Sequence, residues 1–307
     1  MKHTVKTAQP GILESAPAHG RYLFLSPAAA ATPAALGAAL QQLAALADGQ
    51  AVVVGIGPAL VQALGAEVPG LRPMPDFSGH GVQVPSTPVA LWCWVRGAAQ
   101  GAVVLHARRI AQALAPAFHL DRVLDGFRHG DAQASDRDLT GFEDGTENPV
   151  GADAEAAALV PGAADGMAGS SFAAIQQWVH NLDAFDALGT DGQNHAMGRR
   201  MSDNEELDDA PASAHVKRTA QESFSPEAFL LRRSLPWAVG QQCGLFFVGF
   251  GASLYAFEAQ MRRMAGQEDG IVDATFTYSK PVTGAYLWCP PVHAGPAGGL
   301  DLRQLGL

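Results

Sequence analysis

The chain has 307 residues and a formal net charge of −10, with 48% hydrophobic and 16% charged residues. At ~150 residues per domain the length fits two domains, the composition excludes wholesale disorder, and the acidic excess argues against an affinity built on neutralising phosphates. Three widely spaced cysteines, Cys93, Cys243 and Cys289, exclude a disulfide framework or a four-cysteine zinc site within one chain and read as small buried apolar residues.

Residues 1–20 lack a continuous apolar run after their charges. Residues 244–257 come nearest to a membrane span and fall short of the ~20 apolar residues it needs. A reducing cytoplasm is the expected setting.

Residues 1–130 read as a first domain. Positions 21–26 predict a strand. Thr32-Pro33 supplies an N-cap and a proline at the first helical position, opening an Ala- and Leu-rich helix over 33–46. Positions 50–56 predict a strand, 66–87 a loop, and 89–95 a strong strand. Val103, His106, Ile110 and Leu114 recur three or four apart within 100–114, at helical spacing. A last strand is expected over 119–127. The order β-α-β-β-α-β is that of a ferredoxin-like unit.

Residues 131–168 read as an irregular acidic linker that carries function. Residues 169–307 repeat the pattern with an insertion. Strands are expected over 170–180, 229–235 and 244–250. A short helix is expected near 182–188, and 189–213 reads as polar and acidic loop. A helix with a Ser253 N-cap is expected over 253–265, an alternating strand over 273–279, and a loosely held tail from Pro290.

Gly55-Ile56-Gly57 follows a strand, but Leu60 stands where a dinucleotide fingerprint needs a third small residue. The carboxylates Asp136, Asp138, Glu143, Asp144 and Glu147 do not have the spacing of a calcium loop. A glycosidase pair among them stays open. Three segments carry more. In GFEDGTENP (141–149) the carboxylate of Asp144 is held between an Asp-Gly turn and an Asn-Pro bend, or is simply structural. In SAHVKRT (213–219) His215 precedes two cations and is a ligand or a surface residue. In LLRRSLP (230–236) strand alternation puts Arg232 and Ser234 on one face and Arg233 on the other. A buried arginine there needs a carboxylate or an anion.

Together, and in this order, these segments resemble the dye-decolourising peroxidases, most closely their B-type branch. GFEDGTENP matches the family's G-x-x-D-G signature, SAHVKRT its proximal histidine segment, LLRRSLP its distal arginine strand, and DATFTYSKPVTGAYLW its closing strand. The likeness covers roughly residues 15–290. It implies two ferredoxin-like domains with packed antiparallel sheets, an α+β fold of the dimeric α+β barrel type. Haem b would sit in the C-terminal domain.

The resemblance further implies that His215 ligates the iron, and that Asp144, Arg232 and Ser234 stand over the open face as catalytic groups. Arg199 would lie near a haem propionate. Asp273 is the candidate acceptor from the other nitrogen of His215, and Phe247, with Leu245 and Gly249, a candidate pocket wall. Arg232 would hold the pKa of Asp144 down, while Glu143 and Arg233 would face the surface. Hydrogen peroxide would be reduced through a ferryl intermediate at the expense of a dye-like or phenolic donor. Electrons could hop through Trp237, Tyr255, Tyr278, Tyr286 or Trp288. Porphyrin processing of the deferrochelatase kind and non-catalytic haem binding are the rival functions. The partners implied are a homo-oligomer, dimer or larger, and through the tail a nanocompartment shell.

Overall fold

Thr32 opens the first long helix as its sequence requires: its hydroxyl accepts the Ala35 N–H at 3.2 Å, with Pro33 in the first turn. In this computed structural model, which describes residues 7–130, 136–162, 166–293 and 298–307, that helix belongs to a regular N-terminal half. Its elements are α1 (Pro10–Leu13), β1 (His19–Pro27), α2 (Pro33–Leu46), β2 (Val52–Ile56), α3 (Pro58–Ala63), β3 (Leu91–Gly97), α4 (Gln100–Leu114) and β4 (Phe118–Phe127). The C-terminal half holds α5 (Gly151–Ala158), β5 (Ser171–His180), α6 (Leu182–Asp186), α7 (Gly189–Met197), α8 (His215–Arg218), β6 (Leu231–Arg232), β7 (Leu235–Val239), β8 (Gln242–Gly251), α9 (Tyr255–Met264), β9 (Ser279–Pro281) and β10 (Ala285–Cys289).

The two halves share one sheet. Its strands run β4-β1-β3-β2-β10-β5-β8-β7 and return to β4, which makes a closed antiparallel barrel. The seams are narrow: Trp288 pairs with Ile56 at one and Gly126 with Trp237 at the other. Closure removes the open edges that each half would otherwise present. Inside, Tyr22, Trp92, Trp94, Trp237, Phe246 and Phe250 form an aromatic core, with Tyr22 and Phe246 centroids 4.1 Å apart. Gly126 is required at its seam, because a Cβ there would come within 2.9 Å of Leu235. Outside the barrel, α2 and α4 pack on β1, β2 and β3, and α9 packs on β5, β8 and β10. All three cysteines are free; Cys93 and Cys289 are buried as expected, whereas Cys243, near the start of β8, is only partly buried.

Several expectations are corrected. The span 273–279 is not a strand: Asp273 caps a 3-10 turn, Ala274–Thr277, by accepting the Thr275 N–H at 2.8 Å, and the side-chain bond overrides the alternating pattern. Residues 189–213 contain α7, ended by Gly198 at φ 92°. The linker contains α5, whose Ala154 and Ala158 are buried. The strand expected over 229–235 is broken between β6 and β7, where the Val248 N–H faces the Ser234 hydroxyl at 3.4 Å. Helix α9 starts two residues late, with Leu254 at its N-cap and Ser253 accepting from Tyr255.

The tail is not loose in its described part. Leu300, Leu302 and Leu305 are buried in the core of α2, and the Leu300 N–H donates to Ala44 O at 3.2 Å. Residues 294–297, 131–135 and 163–165 lie outside the described residues, as do the first six. Each buried leucine contributes ~1.5–3 kcal/mol. Deleting residues 299–307 is therefore expected to lower the thermal midpoint by roughly 5 °C or more. Differential scanning calorimetry checks this, and an unchanged midpoint would show that the tail contributes nothing.

Candidate active site

The crossover from β5 to β7 is broken into α6, α7, α8 and a 3-10 turn, Gln221–Ser223. Where one continuous helix would cover the sheet there is a cavity of about 280 Å³. Its floor is the outer face of β5 and β8, with Gln176, Trp178, Leu245 and Phe247, and α9 adds Phe257, Met261 and Met264. His215, Asp144, Arg232, Ser234, Arg199 and Phe247 all line it. Asp273 lies behind His215, and Gly249 is not on the wall.

His215 opens α8, and its Nδ1 lies 2.8 Å from Asp273 Oδ2. Asp273 is fully buried; its other oxygen accepts from both the N–H and the hydroxyl of Thr275, each at 2.8 Å. An ionised Asp273 has no proton to give, so Nδ1 carries the hydrogen and Nε2 keeps its lone pair. Helix α8 is anchored by Arg218, whose two terminal nitrogens each meet Asp269 at 2.7 Å. That pairing holds Asp269 down at about 2.

Asp144 stands in a loop pinned at both ends. Its N–H donates to Asp136 O at 2.8 Å, and Gly145 takes φ 84° to make the turn closed by Asn148 N–H. Asn148 then clasps the backbone of Arg232: Oδ1 accepts its N–H at 2.7 Å and Nδ2 donates to its carbonyl at 3.2 Å. Gln221 ties the same loop to the same strand, donating to Glu147 O at 2.9 Å and accepting from Leu230 N–H at 3.0 Å. Asp144 and Arg232, 88 positions apart in sequence (232 − 144 = 88), are set relative to one another by these two amides. Sequence reasoning took Asn148 only as a bend and did not single out Gln221. Asn148→Ala leaves the partly buried Arg232 N–H without its acceptor, at a cost of ~1 kcal/mol. It is expected to slow peroxide turnover about 10-fold by loosening Arg232. Steady-state kinetics at saturating haem check this, and an unaltered kcat/KM for peroxide would dismiss it.

The electrostatics correct one expectation. Burial pushes the Asp144 carboxyl above its ordinary value, and Asp138 and Asp136 push the same way; the attraction of Arg232 and His215 only opposes this. The Arg232 guanidinium makes no hydrogen bond or ion pair with a described side chain, so it acts on Asp144 across space. Two further expectations fail. Glu143 lines the cavity and pairs with Arg137 at 3.2 Å. Arg233 turns to the barrel end, where it donates to Leu13 O at 2.7 Å, and burial beside Arg96 drops it to about 10. Neither is a surface residue. Arg199 is held by Glu147 at 2.7 Å and faces Glu206 at 3.6 Å. Of the aromatic residues considered for electron transfer, Trp237, Tyr286 and Trp288 are buried in the cores and Tyr278 on the cavity wall. Only Tyr255, 38% exposed, reaches the surface.

Among the described residues no three His, Cys, Asp or Glu side chains gather to hold a bare metal ion. His215 is thus an imidazole with a carboxylate behind it, on the wall of a mostly apolar cavity that His180 also lines. That donor set suits a metal that brings its own equatorial ligands, as the iron of a porphyrin does.

A model of the Dyp-type peroxidase C-terminal region matches residues 135–294. The dye-decolorizing peroxidase of Rhodococcus erythropolis is 31% identical over 252 residues, covering 80% of this chain and 73% of that protein. The chain belongs to the dye-decolourising peroxidases. Its fold is similar to that of the dye-decolorizing protein of Vibrio cholerae, with a TM-score of 0.80, 29% identity and 91% and 96% of the two chains covered. It is equally similar to DyPB of Rhodococcus jostii, with a TM-score of 0.81, 26% identity and 91% and 94% covered. A variant of the latter is described in complex with haem. The B-type branch of the family is where this chain falls. It is a haem peroxidase, with haem b as cofactor and hydrogen peroxide and an electron donor as its substrates. No described helix is long and apolar enough to cross a membrane.

Proposed function

We propose that His215 holds the haem iron of this peroxidase through Nε2 and that Asp144, Arg232 and Ser234 carry the peroxide chemistry on the other face. The observation that supports this most is the joining of one cavity to two separately built pairs, His215–Asp273 and Asp144–Arg232. Bound haem would supply the two electrons that reduce peroxide, and the donor would later return them one at a time. Asp144, when ionised, takes the proton from the nearer peroxide oxygen and returns it to the farther one, which departs as water. Arg232 stays protonated and stabilises the hydroperoxide anion and the charge growing on the leaving oxygen. Ser234 offers a hydroxyl on the same wall. Asp273, by accepting from Nδ1, keeps the ring oriented and raises its basicity. Phe247 supports the macrocycle, and Arg199 lies near its carboxylates.

Asp144 must be ionised to accept a proton, and its pKa is raised, so peroxide turnover is expected to rise with pH through a point above the usual carboxylate range. Asp138→Asn removes one of the charges that raise it, and should move this acid limb to lower pH. Initial rates from pH 3 to 7 check both. An acid limb in the ordinary aspartate range, unmoved by the substitution, would remove Asp144 from the role.

The proposal extends to organisation. Residues 1–130, 131–168 and 169–307 form a ferredoxin-like domain, a linker and a haem-binding ferredoxin-like domain. The strand orders β4-β1-β3-β2 and β10-β5-β8-β7 support this, each being the same permutation of its half. A cytoplasmic setting and a homo-oligomer rest on the family resemblance; light scattering decides the second. Phenolic or dye-like donors are the proposed reductants. The tail's buried leucines leave it little apolar surface to dock on a shell. An absorption spectrum of the haem-loaded protein, before and after one equivalent of peroxide, tests the core of the proposal. A histidine-ligated ferric Soret band that responds at once supports it. Slow bleaching, or release of free porphyrin, would favour haem carriage or porphyrin processing.

A further inference from the structure

His180 ends β5 with its side chain only 5% exposed. Its Nδ1 lies 2.7 Å from the hydroxyl of Ser279, its register partner on β9. Its Nε2 is buried and has no hydrogen-bond partner among the described residues, yet the ring lines the same cavity as His215. Asp138 approaches from the signature loop, with Oδ2 3.7 Å from Nε2, too far for a hydrogen bond. The other Asp138 oxygen is satisfied by the Thr140 N–H at 2.8 Å and by the Thr140 hydroxyl. One imidazole nitrogen and one carboxyl oxygen thus face a shared spot on the wall and leave each other unpaired. A buried polar atom without a partner costs free energy unless a ligand completes it.

Haem b carries two carboxyl groups along one edge, and a cavity that holds it must meet them. The cation at hand, Arg199, is already engaged by Glu147 and faces Glu206. We propose that His180, oriented by Ser279 and backed by Asp138, is the seat of one haem carboxyl group. The assignment rests on haem being held in this cavity by His215. With the Ser279 hydroxyl donating to Nδ1, Nε2 carries a hydrogen and donates it to the haem carboxylate. Burial supports the arrangement: it lowers His180 to about 4, which keeps the ring neutral, and it raises the Asp138 carboxyl, which eases the approach of a second carboxyl group. His180 was not a candidate from sequence, since a single histidine at the end of an apolar strand carries no signal, and Asp138 was weighed only as one of the clustered carboxylates.

The test measures binding and needs no turnover. Dissociation constants for haem and for haem dimethyl ester, which lacks both carboxylates, are compared by Soret titration in the wild type, His180→Phe and His180→Gln. The Phe variant is expected to bind haem about 10- to 100-fold more weakly, the loss of one hydrogen bond to a charged group. Its affinity for the dimethyl ester should be unchanged. The Gln variant, which keeps an N–H at that depth, should recover most of the preference for haem. Equal losses for both ligands would mean that His180 only packs, and no loss at all would mean that it is idle; either overturns the assignment. Should the Phe variant not fold, Ser279→Ala must still lower the preference for haem over its ester, and an unchanged preference overturns it. A wild type that binds neither ligand would instead refute the haem site itself.

Discussion

Arg232→Leu is expected to lower kcat/KM for peroxide by about 10²- to 10³-fold, the usual loss when a preorganised donor to a developing negative charge is removed. Haem affinity and the ferric spectrum should stay close to wild type, because the Arg232 side chain has no hydrogen bond or ion pair with a described side chain to forfeit. Its backbone stays clasped by Asn148 whatever the side chain is. Asp144→Asn is expected to cost less, since water in the cavity can stand in for a proton acceptor but not for a fixed guanidinium. Rapid mixing with peroxide, followed by absorbance, compares the two. A larger loss in the aspartate variant would reverse the ranking, and an unaffected Arg232→Leu enzyme would take the arginine out of the mechanism.

Asp273→Asn should do more damage than its small change in shape implies. The two Thr275 donors require an oxygen at the position of Oδ1. The new amide NH2 must then take the place of Oδ2, 2.8 Å from His215 Nδ1, where a hydrogen already sits. Donor faces donor. The ring escapes by moving its hydrogen to Nε2, which spends the lone pair meant for iron. Loss of an outer partner of this kind typically costs ~10–100-fold in metal affinity or activity, and a forced tautomer change puts the expectation at the upper end. Electron paramagnetic resonance of the ferric protein should show the histidine-ligated signal lost or diminished. Thr275→Val relieves one of the two donors and should soften the effect in the double variant. An Asp273→Asn protein with an unaltered spectrum would separate Asp273 from the ligand altogether.

Much of the N-terminal half was legible because each of its signals is local. Thr32-Pro33 opens α2 at Pro33, the spacing of Val103, Ile110 and Leu114 marks α4, and the apolar run 89–95 marks β3 within two residues. The C-terminal half resisted at the places where a side chain competes with the backbone ladder. Asp273 turns an alternating segment into a 3-10 turn, and Ser234 interrupts the strand that carries Arg232. Helix α7 was hidden because its sequence, Gly-Thr-Asp-Gly-Gln-Asn-His-Ala-Met, is polar and poor in helix formers, and is helical only in its packing against α6 and α8.

The candidate site divides the same way. His215, Asp144, Arg232, Ser234 and Arg199 could be picked out because each lies in a dense motif, and Arg232 and Arg233 could be sent to opposite faces by strand alternation alone. What stands between those motifs could not. The bond from His215 to Asp273 spans 58 residues and the clasp of Asn148 on Arg232 spans 84. His180 becomes notable only once its Nε2 is seen to be buried and alone. The direction of the Asp144 shift likewise needed the structure, because burial and the nearby Arg232 oppose each other and only the depth of the loop decides which prevails. Local sequence thus determined which residues are the candidates for the chemistry and which way Arg232 and Arg233 leave the strand, for these depend on spacing and backbone geometry. Closure of the barrel, the open cavity beside it and the protonation of the groups on its wall were decided by tertiary structure, since each depends on segments far apart in the chain being brought out of water together.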